Sequence, residues 1–266
     1  MTRVLAAYLE ETYRAFHRPE TIHPDPLEVP RRYPFGEDRE VTALLAALYA
    51  YGRVRQILTT LDRLLAPLGP RPASVLRDGA LPGAFCAPAH RFTSCEQTLG
   101  LLAGTGAVLR EFGSLEGAFL RGGVPTCRED LLEALEGFAA LLAERSGTDG
   151  AFLLPRPSGK SACKRWFLFL RWMVREDEVD PGGWRGIPRS ALVVPLDAHM
   201  FRFGREWGLI RRASPDLKSA LELTEALAAV DPQDPVRFDF SLTRRGILGE
   251  GTLDRSPALG VSFPPS

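Results

Sequence analysis

An all-α globular fold is predicted by three observations. Apolar residues recur at helical spacing in segment after segment. Ser or Asp stands ahead of several of these segments, where a side-chain oxygen can cap a helix. No stretch reads as a convincing strand; Leu192-Val193-Val194 is too isolated. About nine helices without an internal repeat make a globular α chain rather than a solenoid.

Val4 to Phe16 carries Val4, Leu5, Tyr8, Leu9, Tyr13 and Phe16 at helical spacing. Arg18 to Gly36 holds five prolines and predicts an extended segment over the surface. Its His23, Asp25 and Glu28 read as turn formers, and no metal site is expected. Glu37 to Leu65 predicts one or two helices with Asp38 as N-cap. Val41 to Leu48 is apolar nearly all round, which marks a central buried helix. Tyr51-Gly52-Arg53 breaks the pattern and places a tyrosine and an arginine at a corner.

Pro67 to Pro88 is Pro/Gly-rich around a short apolar turn at Ala73 to Leu76. Ser94 caps a helix to Phe112, Ser114 a short one to Leu120, and Arg128 to Arg145 is amphipathic. Ser161 to Val174 predicts the most apolar helix, with Cys163, Trp166, Phe167, Leu170, Met173 and Val174 toward the core. Lys164, Leu168, Arg171 and Arg175 fall on its other side. After the connector Glu176 to Arg189, Asp197 caps a helix through Trp207, and Gly208 stops it. Ser214, with Pro215 at the first position, opens a helix to Val230. Asp234-Pro235 opens the last, through about Arg245.

The bulk numbers exclude several classes. No run of ~20 apolar residues can span a membrane. The N-terminal stretch turns acidic and amphipathic, unlike a signal peptide. Four cysteines at these spacings make neither a disulfide framework nor a zinc or iron–sulfur signature, which fits a reducing, cytoplasmic compartment. Acids and bases number 33 each, which argues against wholesale coating of nucleic acid and leaves room for a local basic face. That face is Leu153 to Arg175, with six basic residues and no acid.

Motifs for Ser/His/Asp catalysis, phosphate loops and dinucleotide binding are absent, and four histidines discourage a histidine metal site. No cofactor is expected. The chemistry on offer is a lysine with Asp197. A lysine flanked by cations (Lys160, Arg165 and Arg171 around Lys164) is favoured as an uncharged nucleophile. A capping aspartate retains oxygens that can stabilise a developing positive charge.

Val193-Val194-Pro195-Leu196-Asp197-Ala198-His199-Met200-Phe201-Arg202 resembles the helix opening that carries the aspartate of the helix-hairpin-helix DNA glycosylase superfamily. The lysine-to-aspartate spacing, with Phe167, Phe169, Arg171 and Met173 after Lys164, is most similar to the archaeal 8-oxoguanine glycosylase branch. Val41 to Leu58 resembles the family's early buried helix and the turn that meets DNA. Ser161 to Val174 is also similar to a bacterial family of unknown function. The specific resemblance covers about sixty residues. Where the family hairpin is glycine-rich, Leu154-Pro155-Arg156-Pro157-Ser158-Gly159-Lys160 has one glycine.

This resemblance implies two helical subdomains flanking a DNA-binding cleft: residues 37–175 with a degenerate hairpin, and residues 1–36 with 188–266. It implies a monomeric DNA repair glycosylase with AP lyase activity on an oxidised purine in duplex DNA. Lys164 would be the nucleophile by spacing, Lys160 by hairpin alignment, with Asp197 assisting. Tyr51 would wedge into the stack, Arg53, Lys160, Arg165 and Arg171 would contact phosphates, and Asp239 would read the base. A non-catalytic nucleic-acid-binding module of the same fold is the alternative.

Overall fold

The computed structural model describes residues 2–81, 85, 88–147, 152–159 and 161–247. Twelve α-helices run through them: α1 (Thr2–Phe16), α2 (Glu28–Arg31), α3 (Glu37–Leu48), α4 (Val54–Leu65), α5 (Pro72–Arg77), α6 (Cys95–Phe112), α7 (Leu115–Phe119), α8 (Arg128–Ser146), α9 (Lys164–Val174), α10 (Ala198–Glu206), α11 (Leu217–Ala228) and α12 (Asp239–Ile247). Among the described residues there are no strands, so the all-α expectation holds. No helix there is long and apolar enough to cross a membrane.

The hydrophobicity of α3 explains its place. Val41 to Leu48 are wholly buried, because every face of the helix meets another element: α2, α4, α5, α7 and α9. Its first turn carries Glu40, which accepts hydrogen bonds from the backbone N–H groups of Leu115 (2.7 Å) and Glu116 (3.2 Å) and from Trp184 Nε1 (2.7 Å). The carboxylate thus satisfies free donors at the start of α7, where the helix dipole favours negative charge. The helix α9 also packs on α3, and its Trp166, Phe167, Phe169, Leu170, Trp172 and Met173 are buried.

Helix α6 touches both α5 and α8 through glycines. A β-carbon on Gly104 would lie 2.7 Å from the Ser146 backbone nitrogen, and one on Gly106 would collide with the Leu76 carbonyl. Alanine at a free helical position gains up to about 1 kcal/mol over glycine. Overpacking against backbone costs about 1–3 kcal/mol, so Gly106→Ala is expected to destabilise the fold, read as a lower urea midpoint. An unchanged or higher midpoint contradicts this packing.

Several boundaries move. Ser94 forms a capping box with Gln97, and Ser114 and Asp197 cap as expected. Gly36, not Asp38, precedes α3; the Asp38 carboxylate instead accepts from the Ala73 N–H of α5 at 2.9 Å. Asp216, not Ser214, caps α11 by accepting from Ser219 N–H. The final helix begins at Asp239 because Asp234-Pro235 is spent in a turn. The proline-rich segment is not simply extended: it contains a 3₁₀ turn at Pro19–Thr21 and the short α2.

The N- and C-terminal parts meet. Helix α1 packs on α12, and α10 packs on both α11 and α12. The approach to α10, Ala191 to Leu196, is buried, and Val194 N–H donates to Thr224 Oγ1 of α11 at 3.0 Å. That anchoring fixes where Asp197 emerges.

Candidate active site

A cavity of about 340 Å³ opens between the start of α9, the corner after α3, the start of α10 and the face of α12. Lys164, Asp197, Asp239, Tyr51 and Arg171, far apart in sequence, all line it. So does Asp25, from the proline-rich segment.

Lys164 is the first residue of α9 and follows Cys163, whose backbone is left-handed (φ 53°). That sharp entry brings the chain into α9 with the lysine on the cavity side and the cysteine thiol buried. Among the described residues the half-buried amine makes one long contact, 3.4 Å to the Ala50 carbonyl. Asp197 accepts the Met200 N–H at 2.8 Å through one oxygen. No other hydrogen bond reaches its side chain among the described residues, so the second oxygen is available to the cavity.

Arg171 corrects the view of α9 as offering its basic residues to DNA phosphates. It and Arg175 are 3% and 2% exposed. Arg171 donates from Nε (3.0 Å) and Nη2 (2.8 Å) to Asp180 Oδ1, and from Nη1 to Asp239 Oδ2. Burial works against its charge, but Asp180 and Asp239 outweigh burial and hold the guanidinium above the ordinary arginine range. A guanidinium consumed by two buried carboxylates cannot contact a DNA phosphate, so that expectation fails for Arg171. Its role is to fix Asp239, itself 2% exposed, at the cavity wall.

Burial pushes the Asp239 carboxyl up to about 7, with Arg171 offsetting part of the effect and the Asp197 charge adding to it. Asp239 contributes stability that is fully present below the unfolded carboxylate value of about 3.9 and is lost as pH rises through about 7. Melting of wild type and Asp239→Asn across that window is expected to show wild type gaining on the variant as pH falls. A difference that stays flat with pH contradicts it.

Tyr51 is a fixed wall. Its hydroxyl lies 2.6 Å from Thr93 Oγ1 and donates to the His90 carbonyl at 2.9 Å. A ring tied at its tip by two hydrogen bonds is not free to swing into a helix stack, so the wedge expectation fails for it as placed. Arg165 is half-buried and donates to the carbonyls of Leu48 (3.0 Å) and Phe152. Burial pulls its pKa down to about 10, so it stays charged, but its donors serve the fold rather than an external phosphate. Arg53 is exposed just before α4, beside the cavity-lining Gly52 and Val54. Lys160 lies outside the described residues.

Sequence reasoning missed Asp25 as a member of this site. Its carboxylate accepts from Leu27 N–H at 2.8 Å and from Arg244, and burial raises its pKa despite Arg244, Arg171 and Lys164. The environment of Lys164 is therefore not the cluster of cations that the local sequence suggests. Carboxylates of Asp25, Asp197 and Asp239 share the cavity with it, while the neighbouring arginines turn to other partners. The signal available was a carboxylate between two prolines, which fixes a turn but does not say what the turn faces.

A cavity of this size sits at the lower end of the range for small-ligand sites, about 300–1,000 Å³. It offers one amine, one carboxylate with a free oxygen, and two carboxylates held by arginines. Such a set can perform nucleophilic attack on an electrophilic carbon and stabilise positive charge on it. A protein family described as "Protein of unknown function (DUF2400)" matches residues 25–248. No curated protein and no solved structure matches the chain.

Proposed function

The chain belongs to the family of proteins of unknown function DUF2400, and we propose that it is a monomeric, cytoplasmic DNA glycosylase with AP lyase activity on an oxidised purine such as 8-oxoguanine, built on a helix-hairpin-helix glycosylase-like fold of two helical subdomains. The observation that carries this reading is the meeting of Lys164 and Asp197 in one cavity, with Asp239 fixed beside them. The substrate class comes from the resemblance of Val193–Arg202 and of α9 to that superfamily.

In this mechanism the damaged nucleotide leaves the stack and enters the cavity. The Lys164 Nζ lone pair bonds to the sugar C1′ as the bond from C1′ to the base breaks. The electrons of that bond leave with the base, which takes a proton. Asp197 stabilises the positive charge that develops on the sugar. The attacking nitrogen loses a proton, its lone pair forms the C1′=N imine as the bond from C1′ to the ring oxygen breaks, and that oxygen takes a proton. Removal of a C2′ proton then expels the 3′ phosphate and nicks the strand. Arg53, exposed between the cavity-lining Gly52 and Val54, and Lys160, ahead of the helix that carries Lys164, would contact phosphates.

Borohydride trapping tests the reading. Hydride reduces the imine to a stable amine, so wild-type protein incubated with duplex containing 8-oxoguanine or an abasic site is expected to give a covalent adduct. No adduct with any lesion contradicts the lyase mechanism. The zero net charge and the hairpin with a single glycine favour the alternative of a non-catalytic nucleic-acid-binding module. Salt-dependent duplex binding without an adduct supports that alternative.

A further inference from the structure

Beside the cavity, residues His90 to Thr93 form a tight turn. His90 N–H donates to Thr93 O (3.0 Å) and Thr93 N–H donates back to His90 O (2.8 Å). The base of the turn is moored on every side. Tyr51 bonds both ends, His90 Nδ1 lies 3.0 Å from Thr60 Oγ1, and His90 Nε2 lies 2.9 Å from the Tyr51 carbonyl. His90 and Thr93 are buried, while the two residues at the tip are exposed.

Those two residues are unusual. Arg91 holds a left-handed backbone (φ 49°), uncommon for a residue other than glycine, asparagine or aspartate. Phe92 is 65% exposed, its ring edge-on to Phe152 at 5.2 Å, and Phe152 is itself 41% exposed. Phe152 in turn meets the cavity-lining Tyr51 at 5.1 Å. Cations flank the rings: Arg91 lies 5.2 Å over Phe92, and Arg165 lies 4.7 Å over Phe152 and 5.3 Å over Tyr51. Arg91 also covers Gly52, where a β-carbon would lie 2.8 Å from its Cδ. A step of aromatic rings therefore runs from the cavity wall to solvent, edged by Arg91, and the exposed Arg53 follows the Gly52 that Arg91 covers.

We propose that the Phe92–Phe152 step is a stacking platform for an unpaired base of a DNA strand, with Arg91 and Arg53 meeting the phosphates beside it. An exposed ring costs solubility unless something covers it, and a nucleobase presents a flat π-face of matching size. The flanking arginines are complementary to a phosphate backbone and would be unpaired against a purely apolar partner. Continuity with Tyr51 places the stacked base next to the cavity. The proposal rests on the nucleic-acid reading of the site and not on its chemistry.

The test is the fluorescence of 2-aminopurine, which stacking quenches. The full chain is titrated at low salt into an oligodeoxynucleotide carrying one 2-aminopurine, single-stranded or in duplex opposite an abasic site. Wild type is expected to quench both. Phe92→Ala is expected to bind roughly tenfold more weakly, and Phe92→Trp to restore binding. Because the ring is exposed, Phe92→Ala should melt with wild type, which separates the result from misfolding. Binding by Phe92→Ala within about twofold of wild type, binding without quenching, or no binding by wild type overturns the platform. So does a change of oligomeric state in Phe92→Ala with DNA binding intact, which would assign the rings to self-association. Quenching by a wild type that gives no borohydride adduct leaves the platform standing and removes the lyase reading.

Discussion

Lys164→Gln is expected to abolish the borohydride-trapped adduct while leaving the fold intact. The amine is half-buried and, among the described residues, makes a single 3.4 Å contact, so its removal sacrifices little packing or hydrogen bonding. Glutamine keeps a long polar side chain but cannot form an imine. Loss of a covalent nucleophile lowers the rate by more than about 10³-fold, whereas loss of a positioning group costs less. Asp197→Asn separates the two roles. The amide oxygen still caps α10 through Met200 N–H, and the negative charge facing the sugar is gone. Trapping by Lys164→Gln at the wild-type rate removes the residue from the chemistry.

Arg171→Met is expected to be the most destabilising single change among the site residues. Methionine fills much of the same space, but it leaves Asp239 without its arginine and Asp180 with only Arg175, whose Nε lies 3.3 Å away. Removing one partner of a buried pair costs about 3–5 kcal/mol, because the remaining charges stay out of water. For a chain of this size that is a fall of roughly 10 °C in melting temperature. Replacing an exposed arginine such as Arg53 is expected to change stability by less than about 0.5 kcal/mol. A loss below about 1 kcal/mol for Arg171→Met would mean that the Asp180–Arg171–Asp239 cluster is solvated and does not brace the cavity.

Local chemistry was legible in the sequence and tertiary destination was not. Ser94, Ser114 and Asp197 cap the helices that follow them because a capping oxygen acts within three residues. The all-round apolarity of Val41 to Leu48 likewise forced a central helix. Arg171 was misplaced because its partners lie 9 and 68 positions away, beyond the reach of helical periodicity. A basic residue on the less apolar side of a helix reads as solvated until a distant carboxylate is known to meet it. Asp38 failed as a cap for the same reason: its carboxylate is used by α5. Asp25 entered the cavity because Arg244, from the last helix, holds the proline-rich turn there. Nothing within ten residues of Asp25 encodes that contact.

Any of the chain's three lysines, Lys160, Lys164 and Lys218, could form the imine. Proteolysis of the borohydride-trapped complex, followed by mass spectrometry of the modified peptide, identifies directly the one that does. The adduct is predicted on Lys164. An adduct on Lys160 or Lys218, or no adduct on any lesion, contradicts the assignment of the α9 cavity as a lyase active site.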